Sequence, residues 1–205
     1  IGIKDDAEPP NNQVTQSVLL DMPDPISFPL KVNVAGEGYN DFLPDQLWSS
    51  SVEYGHMNGN YQITEETIGN TFEETIYQTS LNRVVSYKVR APKGIYSAVL
   101  KFSENHYNEI GVRSFDVFAE DSLWISNLDV FDQSNIHTAF DTMLNAIRVE
   151  DGILDLYFSA VNYGAGYEYA GPFLNGLEIH LLEELSINSN QPKDYLLSKP
   201  FPNPF

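Results

Sequence analysis

Apolar and polar residues alternate with a period of two along most of the central chain, as strands with one buried face do. From Ile95 to Ser103, Tyr96, Ala98, Leu100 and Phe102 share one face, while Ile95, Ser97, Val99 and Lys101 share the other. From Val112 to Ala119, Phe115 and Val117 stand opposite Asp116 and Phe118. From Ile153 to Ser159, Leu154, Leu156 and Phe158 point one way and Asp155 and Tyr157 the other. Further strands are predicted over Leu30–Val34, Arg83–Arg90, Ala146–Val149 and Phe173–His180. Turn residues punctuate these runs at Pro92-Lys93-Gly94, Glu120-Asp121, Asp151-Gly152 and Asn175-Gly176. Asn175-Gly176 falls inside a strand-like run, so it marks a turn or a bulge beside a site. No long stretch carries a helical period. Short strands at regular spacing predict an all-β chain, an antiparallel β-sandwich of jelly-roll type.

Both ends lack that pattern. Residues 1–27 contain Pro9-Pro10, Asn11-Asn12, Pro23 and Pro25 and read as a linker, with Val18–Leu20 its one apolar segment. Residues 186–205 are again rich in Asn, Ser and Pro. The predicted domain is 28–185, long enough for one hydrophobic core, and no internal repeat interrupts it.

Composition narrows the chemistry. The chain has no cysteine, which excludes disulfides, thiolate metal sites and thiol catalysis. Its 29 acidic residues against 11 basic ones give a net charge of −18, a field that repels nucleic-acid phosphates and anionic lipid surfaces. No apolar run approaches the length of a membrane span, so membrane insertion is not expected. No signal peptide precedes Ile1, but a secreted precursor would have lost one.

Catalytic and metal readings find little support. No cofactor is called for. A structural Ca2+ at Asp129, Asp132 and Asp141 is the one candidate cation, and their spacing approaches no Ca2+-loop signature. His56, His106, His137 and His180 show no zinc spacing. Glu104 and Asp116, on neighbouring predicted strands, are the best pair for glycoside hydrolysis, which needs carboxylates about 5 Å or roughly 6.5–9.5 Å apart. No Gly-x-Ser-x-Gly elbow supports Ser/His/Asp chemistry. The chain is not expected to be an enzyme by itself.

A collinear set of short motifs resembles malectin-type domains, β-sandwich carbohydrate-binding modules found in the endoplasmic reticulum and attached to bacterial glycoside hydrolases. The pieces are Val32-Asn33-Val34-Ala35-Gly36, Trp48, Tyr54-Gly55, Asn58-Gly59 and Thr75-Ile76-Tyr77-Gln78-Thr79. They continue with Ser86-Tyr87, Gly94-Ile95-Tyr96, Leu100-Lys101-Phe102-Ser103-Glu104 and Arg113-Ser114-Phe115-Asp116-Val117. Leu128-Asp129-Val130-Phe131-Asp132 and the run from Pro172 to Ile179 complete the series.

The resemblance implies a non-catalytic sugar site. Its sugar-contacting positions fall on Tyr54, on Tyr77, and on the pair His106-Tyr107, where an imidazole replaces the family's first ring. The family's final Asp is unmatched, leaving Glu168 or Tyr169 as substitutes and the preferred sugar open. The residues themselves suit that chemistry, because sugars stack C–H faces on aromatic rings and hydrogen-bond through hydroxyls. Tyr163, Tyr167 and Tyr169 lie among Gly164, Ala165 and Gly166, a mixture typical of binding loops. The expected ligand residues are Tyr54, Tyr77, His106, Tyr107, Tyr167, Glu168, Tyr169 and Asn175. Tyr54 reads as exposed, Tyr77 as lying in a strand-like run where a core or edge role is the alternative. Trp48 and Trp124 read as structural.

The C-terminal residues Leu197, Ser198 and Phe201 to Phe205 resemble the opening of a bacterial C-terminal sorting signal for export across the outer membrane. That likeness implies a secreted or cell-surface protein with further covalently linked domains, and a polysaccharide or oligosaccharide as partner. A structural spacer or protein-adhesion module is the alternative.

Overall fold

A computed structural model of the chain describes residues 26–162 and 171–185. Among these the strands are β1 (Leu30–Asn33), β2 (Leu43–Pro44), β3 (Tyr54–His56), β4 (Asn60–Ile63), β5 (Thr79–Asn82), β6 (Ser86–Arg90) and β7 (Gly94–Phe102). They continue as β8 (Ser114–Ala119), β9 (Ser122–Leu128), β10 (Phe140–Val149), β11 (Ile153–Asn162), β12 (Phe173–Leu174) and β13 (Gly176–Glu184). Two one-turn helices, α1 (Glu74–Gln78) and α2 (Val130–Ser134), sit between β4 and β5 and between β9 and β10. One large sheet has the order β10-β7-β13-β1-β2, the other β3-β6-β11-β8-β9, and a small third sheet β12-β5-β4. Pairing in both large sheets is antiparallel apart from the short β1–β2 contact.

The alternation read from the sequence dictates the packing. Tyr96, Ala98, Leu100 and Phe102 of β7 meet Phe115 and Val117 of β8 and Leu154, Leu156 and Phe158 of β11 in one core. Phe102, Phe115 and Phe173 pack edge-on or tilted, with centroids 5.7–5.9 Å apart. Burying each such side chain contributes about 1.5–3 kcal/mol. The chain is an all-β antiparallel sandwich, as its periodicity predicts.

Where the elements differ from expectation, the phase of the alternation is broken. β10 starts at Phe140, well before Ala146, because a bulge between Leu144 and Ile147 resets the inward face, with Ala146 at φ 59°. β9 has no clean alternation because it is an exposed edge strand with two register shifts against β8. The run around Tyr77 is helix α1 rather than a strand, too short to display a helical period. The Phe173–His180 run is interrupted at Asn175, which separates β12 from β13.

The sandwich has two unlike ends. At one, β6 joins β7 through Pro92-Lys93, β8 joins β9 through Glu120-Asp121, and β10 joins β11 through Asp151-Gly152. At the other lie the long connections 34–42, 64–73, 103–113 and 129–139. The registers Asn33↔Gly176, Lys101↔Gly176 and Phe140↔Phe102 bring four strand ends to that level, and Ser114↔Asn162 does so in the opposite sheet.

Candidate functional site

The long-connection end is assembled around Asn175. This residue is fully buried. Its Nδ2 donates to the carbonyls of Tyr77 (2.9 Å) and Thr79 (2.6 Å), and its Oδ1 accepts the Ser103 N–H (2.9 Å). Both amide donors are thereby spent on the backbone, since a carboxamide has only two. The expectation that Asn175 hydrogen-bonds a ligand is therefore corrected: it is a latch between α1, β5 and the end of β7. Gly176 completes the latch. A Cβ there would lie 2.6 Å from Ile76 Cγ2, so only glycine lets α1 settle on this face of the sheet.

Tyr77, carried by α1, is buried in a satellite cluster with Phe42, Ile68, Ile76 and Ala139. Its hydroxyl donates to Asp141 Oδ1 at 2.6 Å. Lys101 Nζ donates to Asp141 Oδ2 at 2.9 Å and pairs with Glu178 Oε1 at 3.0 Å. Burial, reinforced by Asp141, raises the Tyr77 phenol above its ordinary range, so it stays a neutral donor. Burial alone pulls the Lys101 ammonium down, but Asp141, Tyr77 and Glu178 outweigh it and hold the group charged. Tyr77 borders an open polar pocket of about 530 Å³, whose walls include Asn70, Gln133, Asn135, Thr138 and Asp141.

His106 and Tyr107 occupy the 103–113 connection, both partly exposed. Their backbone N–H groups donate to one oxygen, Glu104 Oε1, at 2.9 and 3.0 Å. Glu104 is itself buried against Arg113, which reaches both carboxylate oxygens and donates to Asn82 Oδ1 at 2.8 Å. The Arg113 guanidinium lies 3.7 Å from the Phe173 ring centroid and 5.4 Å from that of Tyr107. The His106 and Tyr107 rings stand 6.3 Å apart. Burial, then the Arg113 charge, holds the His106 imidazole below its ordinary value; His137 acts in the same sense and Glu104 opposes. Asn105 joins this loop to α1, donating to the Tyr77 carbonyl at 2.8 Å, while its Oδ1 lies 3.3 Å from His137 Nδ1.

Tyr54 departs from its expected exposure. It is only 8% exposed, packs in the main core and donates its hydroxyl to the Pro44 carbonyl at 2.9 Å. The cause is a buried polar node beneath the 35–47 segment. There Asp45 accepts from the Ala35 and Gln46 N–H groups and the Tyr87 hydroxyl (2.9 Å), and its Oδ2 lies 3.0 Å from His56 Nδ1. Tyr167, Glu168 and Tyr169 lie outside the described residues.

The remaining candidates separate. Glu104 faces Arg113, and Asp116 accepts the Asn127 N–H, so the two carboxylates serve different contacts. Asp129 caps α2 and accepts the Gly111 N–H, whereas Asp141 serves Tyr77 and Lys101. Among the described residues no group of three or more His, Asp or Glu side chains gathers as metal ligands. Residues that the sequence reading passed over include Arg113, Asn105, Asn70 and Asn135. Arg113 left one signal, a basic residue opening an apolar strand in a strongly acidic chain.

The Malectin domain family model matches residues 31–177, and the chain belongs to that family, whose fold is of a carbohydrate-binding type. Among solved structures it is similar to beta-glucuronidase 2 of Bacteroides uniformis, covalently bound to cyclophellitol-6-carboxylate aziridine, at 21% identity and TM-score 0.65. The likeness covers 76% of this chain but only 18% of that enzyme. The extracellular domain of ANXUR1 from Arabidopsis thaliana is also similar, at 14% identity and TM-score 0.60, over 76% of this chain and 48% of that one. The plant receptor-like kinase ANX2 gives 15% identity and TM-score 0.60 over 77% and 48%. These likenesses describe the fold. No curated protein matches the sequence. No helix among the described residues is long and apolar enough to cross a membrane.

Proposed function

We propose that the domain is a non-catalytic carbohydrate-binding module that tethers an exported bacterial enzyme or surface protein to a polysaccharide. The observation that carries this reading is the joint support of two family positions. Asn105 ties the His106–Tyr107 loop to the backbone of Tyr77, and Glu104 with Arg113 fixes that loop from beneath. Partly exposed rings held by buried hydrogen bonds suit sugar stacking, because little conformational freedom is lost on binding. Tyr167, Glu168 and Tyr169 are proposed to complete the site from the adjoining connection.

The module makes and breaks no bond. Tethering raises the local concentration of polymer around an attached catalytic domain. A glycoside hydrolase is the proposed attachment, consistent with this fold forming a small part of a beta-glucuronidase. Secretion or cell-surface display is proposed from the sorting-signal likeness at residues 197–205. One or two shallow sugar contacts give micromolar to millimolar affinity, roughly −4 to −8 kcal/mol.

The test is an affinity-gel and glycan-array screen of the folded domain beside its Tyr107→Ala variant. Retardation by one polymer class, lost in the variant, is the expected result. No retardation by any glycan would replace this reading with that of a spacer or protein-adhesion module.

A further inference from the structure

The pocket beside Tyr77 carries a polar residue that the fold does not use. Asn135 adopts φ 69° and ψ 177°, a backbone region that glycine almost alone populates. Its carboxamide has no hydrogen-bond partner among the described residues, yet it lines the pocket. Asn70 and His137 nearby are also left-handed, at φ 61° and 51°. A glycine at 135 would relieve the backbone and remove nothing that the domain itself requires. Strain retained for an idle side chain points to a partner from outside.

The chemistry of the walls selects that partner. Each Asp141 oxygen accepts one hydrogen bond, from Tyr77 or from Lys101, and keeps capacity for another. Asn70 spends its Nδ2 on the Ala139 carbonyl at 3.1 Å, leaving its Oδ1 as an acceptor. Asn135 offers both donors and an acceptor. The neighbouring cation, Lys101, is held between Asp141 and Glu178. Acceptors and amide donors without an available positive charge suit hydroxyl groups and disfavour phosphate or carboxylate. A single carboxylate is too little for Ca2+, which takes roughly six to eight oxygens. Tyr77 and Phe140 also line the pocket, and about 530 Å³ falls within the ~300–1,000 Å³ of ordinary ligand pockets.

We propose that this pocket is a second subsite, taking one neutral pyranose unit of an oligosaccharide that also touches the His106–Tyr107 loop. The inference rests on the carbohydrate reading above. Tyr77 is the shared element, bordering the pocket while its carbonyl is tied through Asn105 to the loop. The domain then senses chain length, because only a longer oligosaccharide engages both places.

Amide NMR of the ¹⁵N-labelled domain reads the two places separately. The probes are glucose and α-1,3-, α-1,4-, β-1,3- and β-1,4-linked gluco-oligosaccharides of two to six units. The Asn135→Gly variant, which relaxes the backbone while deleting the carboxamide, runs beside wild type. The expected result is shifts at the side-chain amides of Asn70, Gln133 and Asn135 together with the backbone amides of His106 and Tyr107. Asn135→Gly should hold or raise Tm and lower affinity for the longer chains about tenfold. Shifts confined to His106 and Tyr107, with Asn135→Gly binding like wild type, overturn the subsite and leave the carbohydrate reading standing. Shifts confined to the pocket overturn the two-place proposal and the loop as a sugar site, leaving the pocket as the sugar site. No shift with any probe overturns both.

Discussion

The two ends of the sandwich are built by different rules. At the short-turn end, side-chain closure is mostly local: the Tyr96 hydroxyl donates to the Pro92 carbonyl, and the Ile153 N–H to Asp151 Oδ1 at 3.0 Å, while Glu120 Oε1 also accepts the Asp155 N–H 35 residues away. At the far end, closure is long-range. Asn175 reaches the Tyr77 carbonyl 98 residues away, and the Tyr77 hydroxyl reaches Asp141 64 residues away. A turn closed by its own residues needs little from the rest of the fold. A connection held by distant partners is ordered only after the sheets have formed, and its free rims are available for binding.

The largest expected break in that contrast is at the buried ion pair. Arg113→Leu leaves Glu104 charged, buried and unpaired, which should cost about 3–5 kcal/mol in denaturant unfolding. It should also free the His106–Tyr107 loop. A loss below about 1 kcal/mol would mean that the pair is far wetter than its burial indicates.

Next comes Asn175→Ala, which strips hydrogen bonds from two buried carbonyls and one N–H. Its expected cost is about 1–3 kcal/mol, with glycan binding lost as α1 loosens. Tyr107→Ala should separate the two properties. Stability should change by less than about 0.5 kcal/mol, while affinity for a retained glycan falls at least about tenfold, a loss of about 1.4 kcal/mol.

Acidification sharpens the contrast further. His106 has a folded-state pKa below its ordinary value of 6.5, so the folded domain favours the neutral ring. Its contribution is then complete above that value and lost as pH falls through the lowered one. Thermal unfolding from pH 8 to pH 5 should show a loss below about pH 6.5 that is shallower in His106→Gln. Equal slopes would place the acid sensitivity elsewhere.

The smallest effect belongs to the short-turn end. Glu120 and Asp121 sit at φ 49° and 58°, the paired left-handed geometry in which glycine is favoured second. Asp121→Gly should stabilise by up to about 0.5–1 kcal/mol and leave glycan binding untouched. A change in binding would show that the ends are coupled.

What was legible in the chain follows the same division. The alternation in β7, β8 and β11 identified which side chains enter the core, because a strand has only two faces and burial selects one. The turns at Glu120-Asp121 and Asp151-Gly152 were legible because the backbone geometry of a turn is set by its own few residues. Asn175-Gly176 announced an interruption, but not that its amide would bind Tyr77 and Thr79. Tyr54 and Tyr77 looked alike as aromatic candidates and came to rest in different clusters, the main core and the satellite beneath α1.

Periodicity and local motifs therefore carry the sandwich, its inward faces and its family along the chain. Long-range packing set the rest: Tyr54 is covered by the 35–47 segment, Glu104 meets Arg113 rather than Asp116, and Asn135 lines a pocket with Asp141. A period of two reports which face turns inward. It is silent about what will lie over the other face, because that cover is recruited from residues far along the chain whose pairing leaves no local trace.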